Sequence, residues 1–390
     1  MKHTSYLEID KSAFKKNLNF FKKLLGPGVL FSSVVKSNAY GHGIKEYVTM
    51  AKSCGVKHFS VFSAHEAQEV IETGVCDEDA DIMIMGYLED VEIKWAIEQD
   101  IEIYIFHLER LKYAIKMAEK LNKKARIHIE VETGLNRTGI DYDELDDLIP
   151  LVQENADKLI LKGLCTHFGG AESIGNYFRI MQQIETYKKI KEKLSSHELS
   201  FEYYHQVSSA GVFSYPEAIG NMVRIGIAQY GLWPSREVYM SYITKNKLKS
   251  DPLKRLISWK SKVMEIKNVK AGDFVGYGMS YMAPKNIKVA LVPVGYAYGY
   301  SRSLSNLGRV LLHGRRIGVI GTINMNMMAI NITDVPNVNL GDEVVLVGRQ
   351  GRQEISIGSF GEMSNQLNYE LLSRLPTKIP RYIIEKQKPI

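Results

Sequence analysis

The sequence predicts an α/β fold: a (β/α)8 barrel of the TIM type followed by a mainly β C-terminal domain. Three observations carry that expectation. Eight short apolar, β-branched runs alternate with longer amphipathic stretches up to about residue 240. From Leu256 onward the runs become strand-like and are separated by turn signals. The chain has 390 residues, enough on a prior of roughly 150 per domain for two domains, or for one barrel with an addition.

In order along the chain, 29–36, 58–62, 81–86, 102–106, 125–131, 159–167, 201–207 and 223–229 read as strands. Between them, a helix from about Ser12, IKEYVTMAKSC, HEAQEVIETG and YFRIMQQIETYKKIKEKL read as helices, so the repeat is a βα unit. The mixed charges of KKIKEK in the last of these mark a solvated helix face. In the final third SWKSKVMEIKNV, VALVPVGYAYGY, RVLLHGRRIGVIGTI, MMAINITD and DEVVLVGR read as strands. The domains expected are a barrel over 10–240 and a β domain over 241–390 joined by the N-terminal strand 1–9, with the boundary inside 235–255, near Pro234 and Pro252.

Composition narrows the function. Hydrophobic residues make up 45% and charged residues 24% of the chain, which excludes global disorder. Fifty basic against 44 acidic residues leave a net +6, too dilute for a nucleic-acid-binding surface but compatible with small acidic ligands. Cys54, Cys76 and Cys165 form no CxxC pair, so no zinc site is expected, and their sparse use fits a reducing cytoplasm. The charged start and the lack of a long apolar run predict neither a secretory signal nor a membrane span.

Barrel enzymes work at the carboxyl ends of their strands. There this sequence puts Lys36 followed by SNAYGHG, then Glu132, Thr133, Gly134 and Arg137, His167, Ser208 and Ser209, and finally Arg224, Gly226 and Ile227. A lysine, two arginines, a histidine, small hydroxyls and glycine-flanked amides suit an anionic, aromatic cofactor. Lys36 at the end of an apolar strand is expected to lose ammonium character, as a Schiff-base lysine requires; the alternative is a lysine snorkelling at a strand end.

VVKSNAYGHG resembles the pyridoxal-phosphate attachment motif of the alanine racemase family. ETGLNRTG, GLCTHF, SSAG, NMVRIGIAQYGLWPS, VGYGMSY, PVGYAYGY, GTINMNM and NYELLSRLPTKIPR extend the resemblance over nearly the whole chain. It implies a cytoplasmic amino-acid racemase that interconverts L- and D-alanine, and a homodimer with shared sites. By motif, Lys36 carries pyridoxal 5'-phosphate. Tyr40, Ser209, Gly226, Ile227 and Tyr369 hold the phosphate. Arg224 faces the pyridine nitrogen, His167 lies beneath the ring, and Arg137 reaches the phenolic oxygen and the substrate carboxylate. Tyr277 of the partner subunit is the second base, and Tyr296 and Met325 bind substrate. The alternatives are a racemase of broader specificity on the same scaffold and a non-catalytic cofactor-binding protein.

Two bases on opposite faces are the simplest arrangement for moving an α-proton from one face to the other. An unperturbed tyrosine titrates near 10, so Tyr277 needs positive neighbours, for which His167 and Arg224 are the candidates. The sequence also departs from the family pattern. Glu132 stands for an aspartate. Glu130 stands where a carbamylated lysine often lies, and is expected either to hydrogen-bond Arg137 or to face away. Tyr298, Thr322 and Asn326 replace charged entrance residues, while Arg302 and Glu172 fall where the family's entrance has an arginine and an aspartate. The lost charges predict an entrance that also admits substrates larger than alanine, serine first.

Overall fold

The computed structural model describes residues 3–75, 79–359 and 368–385. The chain opens with strand β1 (Ser5–Asp10) and helix α1 (Lys11–Leu25). The barrel strands follow as β2 (Leu30–Val34), β3 (His58–Val61), β4 (Asp81–Ile84), β5 (Glu102–Ile105), β6 (Ala125–Glu130), β7 (Leu159–Cys165), β8 (Tyr203–His205) and β9 (Met222–Ile225). Among the intervening helices are α2 (Lys36–Tyr40), α3 (Ile44–Ser53), α4 (Ala64–Ile71), α5 (Asp90–Glu98), α6 (Leu108–Leu121), α7 (Leu145–Gln153), α8 (Tyr177–Ser196) and α9 (Ser209–Ser214).

The eight strands pair in parallel in the order β8-β7-β6-β5-β4-β3-β2-β9. Closure from β8 to β9 rests on a single parallel bridge, Ser208 to Arg224, with the Arg224 amide donating to the Val207 carbonyl at 3.2 Å. All eight elements lie at the predicted places, and each is shorter than its apolar run. The run 223–229 is the clearest case. The strand stops at Ile225 because Gly226 turns to ψ −109° and Ile227–Tyr230 wind as a 3-10 turn, so Gly226 and Ile227 follow the strand and do not belong to it.

The chain divides into two compact units. The barrel unit comprises residues 13–37 and 48–255, and the other comprises the termini together with 38–47 and 256 onward. Residues 241–255, expected in the second domain, therefore go with the barrel. Side-chain chemistry explains this. Asn17 of α1 donates to the carbonyls of Gln229 and Lys254 and accepts from the Lys254 amide, and Leu253 is buried in a cluster with Phe21 and Phe213. Helix α10 (Arg236–Lys245) lies in this segment.

The second unit is built on β10 (Ile257–Lys262), β11 (Glu265–Val269), β12 (Ile287–Val292), β13 (Arg309–Leu312), β14 (Arg315–Ile320), β15 (Met328–Asn331), β16 (Glu343–Gln350), β17 (Gln353–Ile355), helix α11 (Asn368–Ser373) and β18 (Arg381–Ile384). Its sheet runs β11-β12-β15-β14-β13-β16-β10-β1-β18, with β17 on β16. Strand β1 lies between β10, antiparallel, and β18, parallel. SWKSKVMEIKNV reads as one run but forms two strands, β10 and β11, because Val263 and Met264 between them bond to Asp342 and Leu291.

Candidate active site

The attachment motif adopts an unusual backbone. After β2, Lys36 opens α2, whose remaining residues Ser37, Asn38, Ala39 and Tyr40 all have φ between 50° and 54°. Left-handed winding costs an L-residue roughly 1–2 kcal/mol, so local bonds must hold it. Glu66 accepts from the amides of Ser37 at 2.6 Å and Phe62 at 2.8 Å. The Asn38 side chain accepts from the Ile44 amide at 2.9 Å, and the His42 ring Nδ1 lies 3.0 Å from the carbonyls of both Ala39 and Tyr40. Gly41, at φ 76°, passes so close to α11 of its own unit that a Cβ would sit 2.0 Å from the Leu372 carbonyl oxygen.

Around Lys36 the barrel unit gathers cations. Burial pushes the lysine ammonium down, Arg137 and Arg224 add to that, and Glu66 opposes it. Burial together with Arg224, Arg137 and Lys36 pushes the His167 imidazole down to about 3, so His167 is neutral near neutral pH. An uncharged His167 does not supply the positive charge expected near Tyr277.

Arg224 is buried in β9 and its terminal nitrogens are fully engaged. Nη1 donates to the His205 carbonyl at 2.8 Å and to His205 Nδ1; Nη2 donates to the carbonyls of Thr166 at 2.7 Å and Gln206 at 3.4 Å. A guanidinium carries five N–H groups, so the Nε–H is the one left for a ligand. Ser209 Oγ accepts from the Gly226 amide at 3.0 Å and from Ala228 at 3.4 Å, keeping its own proton to donate. The Gly226 amide is thus occupied. Ile227, at the first position of the following turn, supplies an amide without an acceptor inside that turn. Tyr40 lies half-buried in α2. Tyr369 falls within α11, but its side chain lies outside the described residues.

Arg137 sits at the end of a loop that Glu132 holds from within, accepting from the amides of Gly134, Asn136 at 2.9 Å and Arg137 at 3.3 Å. Arg179 of α8 braces the same loop through the Gly134 carbonyl at 2.9 Å. The hydrogen bond expected from Arg137 to Glu130 is not formed. Nη2 lies 4.0 Å from Glu130 Oε1, an ion-pair distance, with Arg137 57% exposed and Glu130 buried. Burial pushes the Glu130 carboxyl up, against a hydrogen bond from Thr138 and the charge of Arg137, so its negative charge is not unconditional.

The sequence reading missed Gln183, which donates to Thr133 Oγ1 and the His167 carbonyl and accepts from the Gly169 amide. It also missed Glu66 and His205. Ser63-x-x-Glu66 was a visible capping signal; the others carried none.

In the second unit Tyr277 starts a 3-10 turn with Gly278 at φ 75° and Met279 at φ 49°, and is 73% exposed. The Thr322 hydroxyl donates to the Tyr277 carbonyl at 3.0 Å and meets Ser280 Oγ at 2.9 Å. The amides of Tyr296 and Ala297 donate to the carbonyls of Asn324 and Met325, which brings the exposed Tyr296 and Met325 into neighbouring segments. Among the described residues no cluster of ligating side chains could hold a metal, and no helix is long and apolar enough to cross a membrane.

Fold and site define a two-domain barrel protein in which a lysine of lowered pKa is held among cations that suit an anionic ligand. Comparison with known proteins makes this specific. The family models "Alanine racemase, N-terminal domain" and "Alanine racemase, C-terminal domain" match residues 9–234 and 256–383. An alanine racemase of Methanococcus maripaludis is 33% identical over 97% of this chain and 98% of its own length. The alanine racemase of Bacillus anthracis, solved with bound L-Ala-P, superposes with a TM-score of 0.89 at 30% identity, covering 100% of this chain and 97% of that one. That of Bartonella henselae, solved with covalently bound pyridoxal phosphate, gives 0.83 at 25% identity, covering 98% and 100%. This chain belongs to the alanine racemase family, whose members depend on pyridoxal phosphate.

Proposed function

We propose that this chain interconverts L- and D-alanine with pyridoxal 5'-phosphate held on Lys36, as a cytoplasmic homodimer. The observation that carries the reading is the meeting of a pKa-lowered Lys36 with Arg137, Arg224 and a neutral His167 at the barrel mouth. The barrel unit's donor set fits the cofactor: Ser209 Oγ–H and the Ile227 amide at the Gly226 turn suit its phosphate, to which the resemblance adds Tyr40 and Tyr369. Arg224 Nε–H suits the ring nitrogen, and His167 offers an uncharged ring to the cofactor's own.

When bound, pyridoxal phosphate withdraws electrons from the substrate and so acidifies its α-hydrogen. The residues do the rest. Lys36 Nζ, whose ammonium form is disfavoured by burial and by Arg137 and Arg224, takes or returns the proton on one face. Tyr277 of the partner subunit serves the other face through its phenolic oxygen. Arg137 fixes the substrate carboxylate, and Tyr296 and Met325 of the partner subunit border the substrate. Arg224 does not give up its proton, so it keeps the ring nitrogen unprotonated, weakens the electron withdrawal and limits side reactions.

The test is Lys36→Ala. The variant is expected to lose the protein-bound visible absorbance and all racemisation, and borohydride is expected to leave no cofactor on the chain. Cofactor still fixed to the variant by borohydride would refute the assignment. A panel of L-amino acids then reads specificity: alanine is expected first, with serine detectable.

A further inference from the structure

The strands of the barrel carry a chain of buried polar side chains that the reaction does not touch. His205 Nε2 lies 2.9 Å from His128 Nδ1, and His128 Nε2 lies 2.8 Å from Glu102 Oε2. The same oxygen meets His58 Nε2 at 3.0 Å, and His58 Nδ1 meets Ser32 Oγ at 2.9 Å, which in turn touches Ser60 Oγ. The other oxygen, Oε1, meets Arg126 at 2.9 Å and Lys162 at 3.4 Å. Each of His58, Glu102, His128 and His205 is at most 1% exposed. Strand β7 makes room for the two facing imidazoles with a glycine: a Cβ on Gly163 would sit 2.1 Å from His128 Nδ1 and 2.8 Å from His205 Nε2.

The direction of every bond in this chain follows from its two ends. Arginine only donates, so His205 Nδ1, which faces Arg224 Nη1, must accept. The His205 proton is then on Nε2 and is donated to His128 Nδ1. His128 must therefore carry its own proton on Nε2, which points at Glu102. A carboxylate only accepts, so the two ends agree and one arrangement of neutral tautomers satisfies every member. Burial, reinforced at His205 by Arg224, keeps both imidazoles below their ordinary value, against the attraction of Glu102. Burial raises the Glu102 carboxyl, but His128 and His58 outweigh it and hold it well below the carboxylate range.

We propose that His128 and Glu102 are positioning residues that act through His205: they lock its tautomer as Nε2–H, so that the ring accepts from Arg224 and holds the guanidinium with Nε–H toward the cofactor ring nitrogen. The last clause rests on the cofactor reading above; the tautomer lock does not. Without the lock His205 could carry its proton on Nδ1, where it would oppose a guanidinium hydrogen and drive Arg224 out of place.

Nitrogen-15 NMR of histidine-labelled protein tests the lock without any cofactor, with resonances assigned through His205→Asn and His128→Phe. Both His205 and His128 are expected as neutral Nε2–H tautomers near neutral pH. His128→Phe keeps an aromatic ring and leaves Glu102 with Arg126, Lys162 and His58. It is expected to move the His205 ring nitrogens toward a mixed tautomer. In protein loaded with ring-labelled pyridoxal phosphate, it is expected to shift the ring nitrogen toward its protonated position. A wild-type His205 protonated on Nδ1, or as an imidazolium, would overturn the proposal even if the variant does not fold. So would a His128→Phe protein in which neither His205 nor the ring nitrogen shifts. Failure of the cofactor to bind wild-type protein, with the expected tautomers present, would count against the cofactor reading alone.

Discussion

At the level of single residues, Glu130 separates what a motif implies from what geometry delivers. The sequence places a carboxylate seven residues before Arg137, where a fixed negative charge would be useful. In the structure the pair stands 4.0 Å apart and the guanidinium is largely in solvent. Such a pair contributes at most about 1 kcal/mol, so Glu130→Gln is expected to raise KM for alanine by about fivefold or less. Bicarbonate is expected to leave activity unchanged in both proteins. A KM increase well beyond tenfold would mean that Glu130 closes on Arg137 when substrate binds. Lys36 and His167 stood out in the sequence because each ends a predicted strand, and Arg224 because it lies within one. The lowered pKa of His167 could not be read from the sequence, since it depends first on burial and then on three cations that only the folded barrel brings near it.

At the level of elements, the turn after Lys36 is where sequence and backbone agree in detail. The string SNAYGHG holds no hydrophobic periodicity, and the structure shows why: its side chains serve a left-handed turn, with Asn38 and His42 bonding its own backbone. Gly41 is the position with least latitude. Gly41→Ala puts a methyl group against the Leu372 carbonyl at φ 76°, and is expected to destabilise the protein by about 2 kcal/mol or more. Urea titration reads this; an unchanged midpoint would show that the turn adapts freely. Strand positions were legible from β-branched runs, but strand ends were not. Gly226 and the Val263–Met264 break stop strands through backbone bonds that hydrophobicity does not encode. The inward polar residues His58, Glu102, His128 and His205 sit in runs such as ARIHIEV that read as ordinary strands. Their convergence appears only once the pairing order and register, for example Tyr104 opposite His128 and Cys165 opposite His205, are known.

At the level of the whole molecule, the buried imidazoles make stability depend on pH in a definite direction. Burial lowers His42 to about 4 and His167 to about 3, and lowers His128 and His205 as well. Below the ordinary histidine value of about 6.5 the unfolded chain binds protons that the folded one refuses, so stability must fall as pH falls. Glu102, held low in the folded state, adds in the same direction at more acidic pH. The urea midpoint is expected to drop steadily from about pH 7 to about pH 5, and a flat midpoint would show that these rings charge without unfolding. The second consequence concerns the exposed face of the second unit. Tyr277, Met279 and Met325 are 73%, 70% and 55% exposed. If the partner subunit's Tyr277 completes the site around Lys36, two inactive variants can rescue each other. In a hybrid of Lys36→Ala with Tyr277→Phe, one site carries both defects and the other neither. Random exchange in a two-fold dimer makes about half the molecules hybrids, each with one intact site, so about a quarter of wild-type activity is expected after mixing, unfolding and refolding. Were Tyr277 to serve the lysine of its own chain, every site in every combination would lack one base. The mixture would then stay as inactive as its parents.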